Sequence, residues 1–282
     1  MKIGLIGCGR MGGAMAARLA ETGAGPMCWD ADEAARGRMS TSGGTVANSL
    51  AEAAATDLLI LSLPNANAVR TAMKDAAPAL KPGAIVLDTT TSEPATSREM
   101  AAMGAATGWT FLDAPVSGGP TGARAGSMTM LIGGDEAALA SIRPTLDRLT
   151  AKIVHVGGPG AGHAAKIANN MLCAANLSLV AEAVRLAEAA GVAPDKLLEG
   201  INAGSGRSAV SEVNFPRWIL SQTFDSGFTM GLMRKDVALA AALAAETGIE
   251  TPAFGPIAEQ WTESRDTLPD EADFNEITGM KT

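Results

Sequence analysis

The sequence contains no tyrosine. A mechanism in which a phenol donates the proton is therefore excluded. Histidine is nearly as scarce. His155 and His163 are the only two in 282 residues, and neither stands in a metal-ligand cluster, so no zinc or other metal site is expected. The three cysteines, Cys8, Cys28 and Cys173, are widely separated and form no Cys-x-x-Cys pair. That pattern offers no disulfide framework and predicts a reducing, cytoplasmic compartment. Basic residues are outnumbered, with 22 Lys and Arg against 30 Asp and Glu, giving a formal charge of -8. An acidic chain repels phosphate backbones, which speaks against a nucleic-acid partner but leaves room for local cationic pockets that take small anions. No apolar run is read as a membrane span, and the strand pattern that begins at Lys2 predicts no secretory leader.

The rest of the composition is that of a globular chain. It is 47% hydrophobic and 18% charged, and long enough for two cores. In the first half, short apolar runs alternate with alanine-rich stretches of helical spacing. Strands are predicted at 2–6, 26–29, 58–63, 84–88, 110–112, 128–132 and 153–156, and helices at 11–22, 67–77, 94–103 and 136–149. This alternation predicts an α/β fold with an N-terminal doubly wound sheet of the Rossmann type, antiparallel only among its later strands at one edge. Beyond Gly162 the pattern turns helical. Residues 164–190 form one long stretch, apolar nearly all round, followed by helices at 194–202, 232–247 and 252–264. The cluster Gly157-Gly158-Pro159-Gly160-Ala161-Gly162 marks the boundary between a domain 1–160 and an all-α domain 161–282, joined by the long helix. A helix apolar on all sides needs burial, which also predicts a homodimer or homotetramer.

Gly7-Cys8-Gly9-Arg10-Met11-Gly12 is a G-x-G-x-x-G that follows a strand and opens a helix. The first glycine permits the tight turn, the second lets a pyrophosphate approach the backbone, and the third packs helix on strand. The helix N-terminus adds free N–H groups for phosphate. Gly7, Gly9, Arg10, Met11 and Gly12 are therefore candidate dinucleotide contacts. Asp30 ends the second strand, about 20 residues on, where the adenosine ribose belongs. A carboxylate there accepts from both ribose hydroxyls and repels a 2′-phosphate. Ala31 and Asp32 follow, not arginine, so NAD is expected over NADP. The plain alternative is that Asp30 only caps the next helix. Leu63 and Pro64, and Thr91 after Asp88, stand at the carboxyl ends of strands, where ligands of open α/β sheets bind. Ordinary loop chemistry is the alternative for each.

Two stretches carry candidates for the reacting end. Ser117-Gly118-Gly119 offers a hydroxyl and bare backbone N–H groups suited to a carboxylate, although a simple glycine-rich connection would read the same. Lys166 and Asn170 are one helical turn apart in the otherwise apolar stretch 164–190. Burying a lysine is costly unless it is paired or used. Snorkelling at the helix start is the alternative. The positive end of the helix dipole disfavours the charged amine and suits it to proton transfer.

Together these stretches resemble the β-hydroxyacid dehydrogenase family, over residues 2–277. The resemblance rests on the glycine fingerprint, Leu63-Pro64, Asp88-Thr89-Thr90-Thr91, the Asp113 to Gly119 stretch, Lys166 with Asn170, and Leu232-Met233-Arg234-Lys235-Asp236. It implies a Rossmann domain followed by a helical domain, with Lys166 as the catalytic lysine. It also implies cofactor contacts at Leu63, Pro64, Thr91 and Lys235, and substrate contacts at Ser117, Gly118, Gly119 and Asn170. Lys235 on its own reads as a solvated charge. Ser205-Gly206-Arg207, Gly227-Phe228 and Asp273-Phe274 look most like the 3-hydroxyisobutyrate branch, and Arg207 joins the substrate candidates, whereas residues 208–224 match no branch. The expected chemistry is interconversion of a short β-hydroxy acid and its semialdehyde. The alternatives are NADPH-linked reduction of small aldehydes such as glyoxylate, succinic semialdehyde or tartronate semialdehyde, and a non-catalytic NAD-binding module.

Overall fold

The computed structural model describes residues 1–41 and 44–280, so the last two positions of the expected second domain lie outside the described residues. The chain divides into two compact units, Met1–Lys166 and Ile167–Thr282. The first unit alternates strand and helix: β1 (Ile3–Ile6), α1 (Arg10–Glu21), β2 (Met27–Trp29), α2 (Glu33–Thr41), β3 (Thr45–Val46), α3 (Leu50–Ala54), β4 (Leu58–Leu61), α4 (Ala66–Ala76), β5 (Ile85–Asp88), α5 (Pro94–Thr107) and β6 (Thr110–Asp113). It continues with β7 (Val116–Ser117), α6 (Gly119–Ala125), β8 (Met128–Gly133), α7 (Glu136–Leu146) and β9 (Thr150–Gly157). The strand order is β3-β2-β1-β4-β5-β6-β8-β7, with β9 also on β8. Strands β1 to β6 pair in parallel, whereas β8 runs antiparallel to both β6 and β7. The order reverses between β1 and β4, which opens the crevice where such sheets bind ligands.

The continuous apolar runs of the central strands fit this sheet because both faces are covered. Alternate residues go to opposite sides. Ile3, Leu5, Leu58, Ile60, Ile85 and Leu87 join one core with Met15 and Leu19 of α1 and Leu139 and Ile142 of α7. Ile6, Leu59, Leu61, Val86 and Phe111 join another with Val69 and Met73 of α4 and Met100 of α5. A one-residue register slip would exchange the two sets, so the pairing is strongly specified.

The second unit is helical. Helix α8 (Ala161–Ala189) starts in the first unit and gives most of its length to the second. It is followed by α9 (Pro194–Ala203), a π-helix at Val210–Ile219, α10 (Met230–Thr247) and α11 (Gly255–Glu263). Leu177, Phe215, Met233, Val237, Phe254 and Trp261 are among its core residues. Phe228 and Phe274 meet edge to face, with centroids 5.2 Å apart, and the Asp273 carboxylate accepts from the Ser226 N–H at 2.7 Å. Two short segments singled out in the sequence are thus packed on one another.

The differences from expectation have physical causes. β3 and β7 have two residues each and α3 has five, too short to show a period. α6 opens with Gly-Pro and reads as a connection, yet proline suits the first turn of a helix. The expectation that no stretch is long and apolar enough to span a membrane is corrected. α8 passes that test with a mean hydropathy of 1.3, and 44% of the 18-residue window is buried, as in core helices that pass equally.

Candidate active site

The glycine loop joins β1 to α1. Gly7 has φ +99°, and a Cβ there would lie 2.1 Å from the Ser62 carbonyl oxygen. One on Gly12 would lie 1.8 Å from the Gly7 oxygen. These two positions therefore exclude any side chain. A Cβ on Gly9 would meet nothing within 4 Å among the described residues, which leaves that face of the loop room for a ligand. Gly9 is also the N-cap of α1 and supplies no side-chain cap, which leaves first-turn N–H groups free for a phosphate. Asp30 lies beside the loop. One carboxylate oxygen accepts from the Cys8 N–H at 2.6 Å and the other from the Asp32 N–H at 2.9 Å. It is Asp32 that accepts from the first turn of α2, through the Ala34 N–H at 3.0 Å. The capping alternative thus falls to Asp32, and Asp30 faces the loop.

A buried polar network follows along the sheet. Thr90, after β5, donates its N–H to Asp88 Oδ1 at 3.0 Å and accepts from the Leu63 N–H on its hydroxyl at 3.1 Å. Asp88 is fully buried, and its Oδ2 has no hydrogen-bond partner among the described residues. Burial pushes its carboxyl above the usual range, with neighbouring Asp113 adding to the rise and His163 and Thr90 opposing it. Asp113 ends β6 and accepts from the Gly160 N–H at 2.7 Å and the His163 N–H at 2.9 Å, which anchors the start of α8. One turn later Lys166, 7% exposed, donates from Nζ to Ser117 Oγ at 2.8 Å. Gly118 and Gly119, the next two residues, both have positive φ (119° and 61°). Successive residues of this kind turn backbone N–H groups toward one concavity.

In the second unit, Asn170 is buried and donates from Nδ2 to Asp236 Oδ2 at 2.5 Å, while its Oδ1 accepts from Asn169 Nδ2 at 3.0 Å. Lys235 Nζ lies 3.5 Å from Asp236 Oδ1.

Two family models match the chain: the NAD binding domain of 6-phosphogluconate dehydrogenase over residues 2–157, and the NAD-binding domain of NADP-dependent 3-hydroxyisobutyrate dehydrogenase over residues 160–280. The chain belongs to the β-hydroxyacid dehydrogenase family. It is an NAD(P)-dependent oxidoreductase with an NAD(P)-binding domain. It is 38% identical to 2-(hydroxymethyl)glutarate dehydrogenase of Eubacterium barkeri, over 89% of this chain and 85% of the relative. Among solved structures it resembles a Mycobacterium tuberculosis 3-hydroxyisobutyrate dehydrogenase with L-serine (TM-score 0.94, 33% identity, 99% and 98% of the two chains). It also resembles Psf3 in complex with NADP+ and 2-OPP (TM-score 0.85, 26% identity, 98% and 99% covered).

The family's chemistry needs a dinucleotide cradle and a proton-transfer group, and the positions expected for both fall together in the first unit. Gly7, Gly9, Arg10, Met11, Gly12, Asp30, Leu63, Pro64 and Thr91 follow the carboxyl ends of β1, β2, β4 and β5. Ser117 and Lys166 are in direct contact. In the second unit Asn170 and Lys235 both meet Asp236. Arg207 is exposed and lies 3.6 Å from Glu212. Sequence reasoning missed Asp236 and His163 as site residues. Asp236 ends the Leu232 to Asp236 motif, and His163 stands one turn before Lys166. Each is a buried polar side chain in an apolar helix, the signal that singled out Lys166.

Proposed function

We propose that the enzyme oxidises a β-hydroxy acid of the form HOCH2–CHR–COO⁻, of the 3-hydroxyisobutyrate type, reversibly to its semialdehyde, with NAD preferred. The observation that carries this is the buried Lys166 amine held 2.8 Å from Ser117 Oγ beside two positive-φ glycines. The relatives' names support the substrate class: 2-(hydroxymethyl)glutarate, 3-hydroxyisobutyrate and L-serine all carry a hydroxymethyl next to the carbon bearing the carboxylate.

A nicotinamide held through the glycine loop would supply the hydride acceptor for the carbinol carbon. Lys166, as the neutral amine, takes the hydroxyl proton, and in reduction it returns that proton and stabilises the developing alkoxide. The Ser117 oxygen accepts from Lys166, which leaves its hydroxyl hydrogen to donate to the substrate carboxylate, with the N–H groups of Gly118 and Gly119. In the second unit, the family resemblance supports Asn170 as a substrate contact and Lys235 or Arg207 as a cationic one. Residues 1–160 hold the cofactor, with Asp30 on the adenosine ribose, and residues 161–282 give the helical domain and the contacts between subunits.

A second reading, NADPH-linked reduction of small aldehydes, is favoured by Arg36. Its guanidinium donates to the carbonyls of Asp30 at 2.7 Å and Ala31 at 3.2 Å, placing a cation beside the expected ribose position. Psf3 with NADP+ points the same way.

The test is NAD and NADP reduction over 3-hydroxyisobutyrate, 3-hydroxypropionate, L-serine, glycerate and 2-(hydroxymethyl)glutarate. NAD-linked turnover of one of them is expected, and Lys166→Met should lower kcat by about 10²- to 10⁴-fold with NADH affinity unchanged. Retained turnover in that variant refutes the role of Lys166. Activity only with NADPH and aldehydes selects the second reading.

A further inference from the structure

His163 has no part in the chemistry above, yet both of its ring nitrogens and its backbone N–H are hydrogen-bonded. It sits in the first turn of α8, three residues before Lys166, and is 0% exposed. Its ring is held on both sides: Nδ1 is 2.7 Å from Ser97 Oγ and Nε2 is 2.6 Å from the Thr90 carbonyl oxygen. A carbonyl only accepts, so Nε2 carries the hydrogen. Nδ1 shares its bond with the Ser97 hydroxyl, which can act as either donor or acceptor. The backbone N–H of the same residue is bound by Asp113.

These partners lie in three segments. Thr90 belongs to the loop after β5, Ser97 to the first turn of α5, and Asp113 to the end of β6. Thr90 also holds the Leu63 N–H, and its neighbour Thr91 is a candidate cofactor contact. One imidazole therefore joins the turn that carries Lys166 to the loop that carries Thr90 and Thr91, and through Thr90 to the Leu63 loop. Apolar packing would fix a helix without the desolvation cost of a buried ring. What two directed hydrogen bonds add is alignment.

We propose that His163 is a positioning residue. Through its Nε2–H bond to the Thr90 carbonyl it sets the Lys166 turn of α8 against the cofactor loop, and so fixes the spacing between proton transfer and hydride transfer. The inference rests on the reading of Lys166 as the proton-transfer group. A displacement of about 1 Å between such groups costs on the order of 10²-fold in rate.

Two substitutions separate the ring's two bonds. His163→Gln places an amide N–H where Nε2 sits and keeps a donor for Thr90. His163→Asn reaches only the Nδ1 position and leaves the Thr90 carbonyl without its donor. The readouts on the full-length protein are hydrogen exchange, the NADH dissociation constant, and NAD-linked oxidation of 3-hydroxyisobutyrate.

In His163→Asn, exchange should rise about 10-fold in peptides covering 89–92 and 160–166 while β8 and β9 stay protected. NADH binding should weaken, and kcat should fall by on the order of 10²-fold with KM nearly unchanged. His163→Gln should return all of these close to the wild type. A rise in exchange spread evenly over the sheet would mean that the ring only packs, and would overturn the proposal. So would a His163→Gln variant as impaired as His163→Asn. Turnover retained in Lys166→Met would instead sink the lysine reading and leave the exchange result standing.

Discussion

Asp113 joins the sheet to α8, and its replacement by asparagine sets two opposing effects against each other. The carboxylate is fully buried and accepts two backbone N–H groups, from Gly160 at 2.7 Å and His163 at 2.9 Å. Asparagine keeps the shape but turns one acceptor into a donor, so one of the two N–H groups meets an N–H. A hydrogen bond to a charged group is worth about 1.5–3 kcal/mol, and the stranded donor adds to the loss. In the other direction, asparagine removes a buried charge, whose desolvation costs several kcal/mol when uncompensated. Here compensation is good, because both acceptor atoms are used and both donors lie at a helix N-terminus, where a negative charge is favoured by up to about 2 kcal/mol. The net expectation is a loss of about 2 kcal/mol for Asp113→Asn. At roughly 2–4 °C per kcal/mol for a domain of this size, the melting temperature falls by about 4–8 °C. The assay is a thermal melt at pH 7 followed by circular dichroism, with urea unfolding as the check. A variant that melts within a degree of wild type, or above it, would show that the buried charge outweighs the capping and would refute this accounting.

Asp88 gives a pH-dependent prediction. Burial holds its folded-state carboxyl above the usual value, so its contribution to stability is fully present below the unfolded value of about 4 and is lost as pH rises through the folded value. Asp88→Asn removes that loss and should raise the melting temperature at pH 8 while nearly matching wild type at pH 4; a difference that stays constant from pH 4 to 8 contradicts it. Asp30→Asn keeps an acceptor for the Cys8 N–H but no longer repels a 2′-phosphate, so the ratio of kcat/KM for NAD over NADP should fall by about 10-fold. An unchanged ratio would remove Asp30 from cofactor selection. Leu172, Leu179 and Leu186 recur every seven residues on α8 and are 62%, 54% and 75% exposed, an apolar stripe that a second copy would cover. Light scattering should give a dimer or larger species, reduced to monomer by Leu179→Glu with Leu186→Glu; a monomeric wild type refutes it.

The sheet was legible because its central strands are apolar on both faces and are separated by alanine-rich helices, a pattern that only a covered parallel sheet satisfies. α5 shows the limit of such reading. It was expected over 94–103 but continues to Thr107 and stops at Gly108, whose φ of +87° provides the left-handed cap. The π-helix at Val210–Ile219 carries no local mark. It includes Pro216, which argues against helix, and it depends on long-range partners such as the bond from Asn214 Nδ2 to Asn275 Oδ1 at 2.7 Å. It also falls within 208–224, the stretch whose sequence matches no branch of the family, although the family model spans it.

The candidate site divides in the same way. Glycines announce themselves because their conformations are excluded to other residues, and Lys166 does so because a buried amine must be explained. What the sequence could not carry is pairing. Ser117 and Lys166 are 49 positions apart, Asn170 and Asp236 are 66 apart, and Thr90 and His163 are 73 apart. Two of these hydrogen bonds join a strand end or loop to α8 and the third joins α8 to α10, each brought within reach by the sheet order or the helical packing. A residue's own type tells what it can donate or accept. Which distant atom receives that bond is set by the fold, so the partners of His163 and Asp236 became visible only once the fold had placed them.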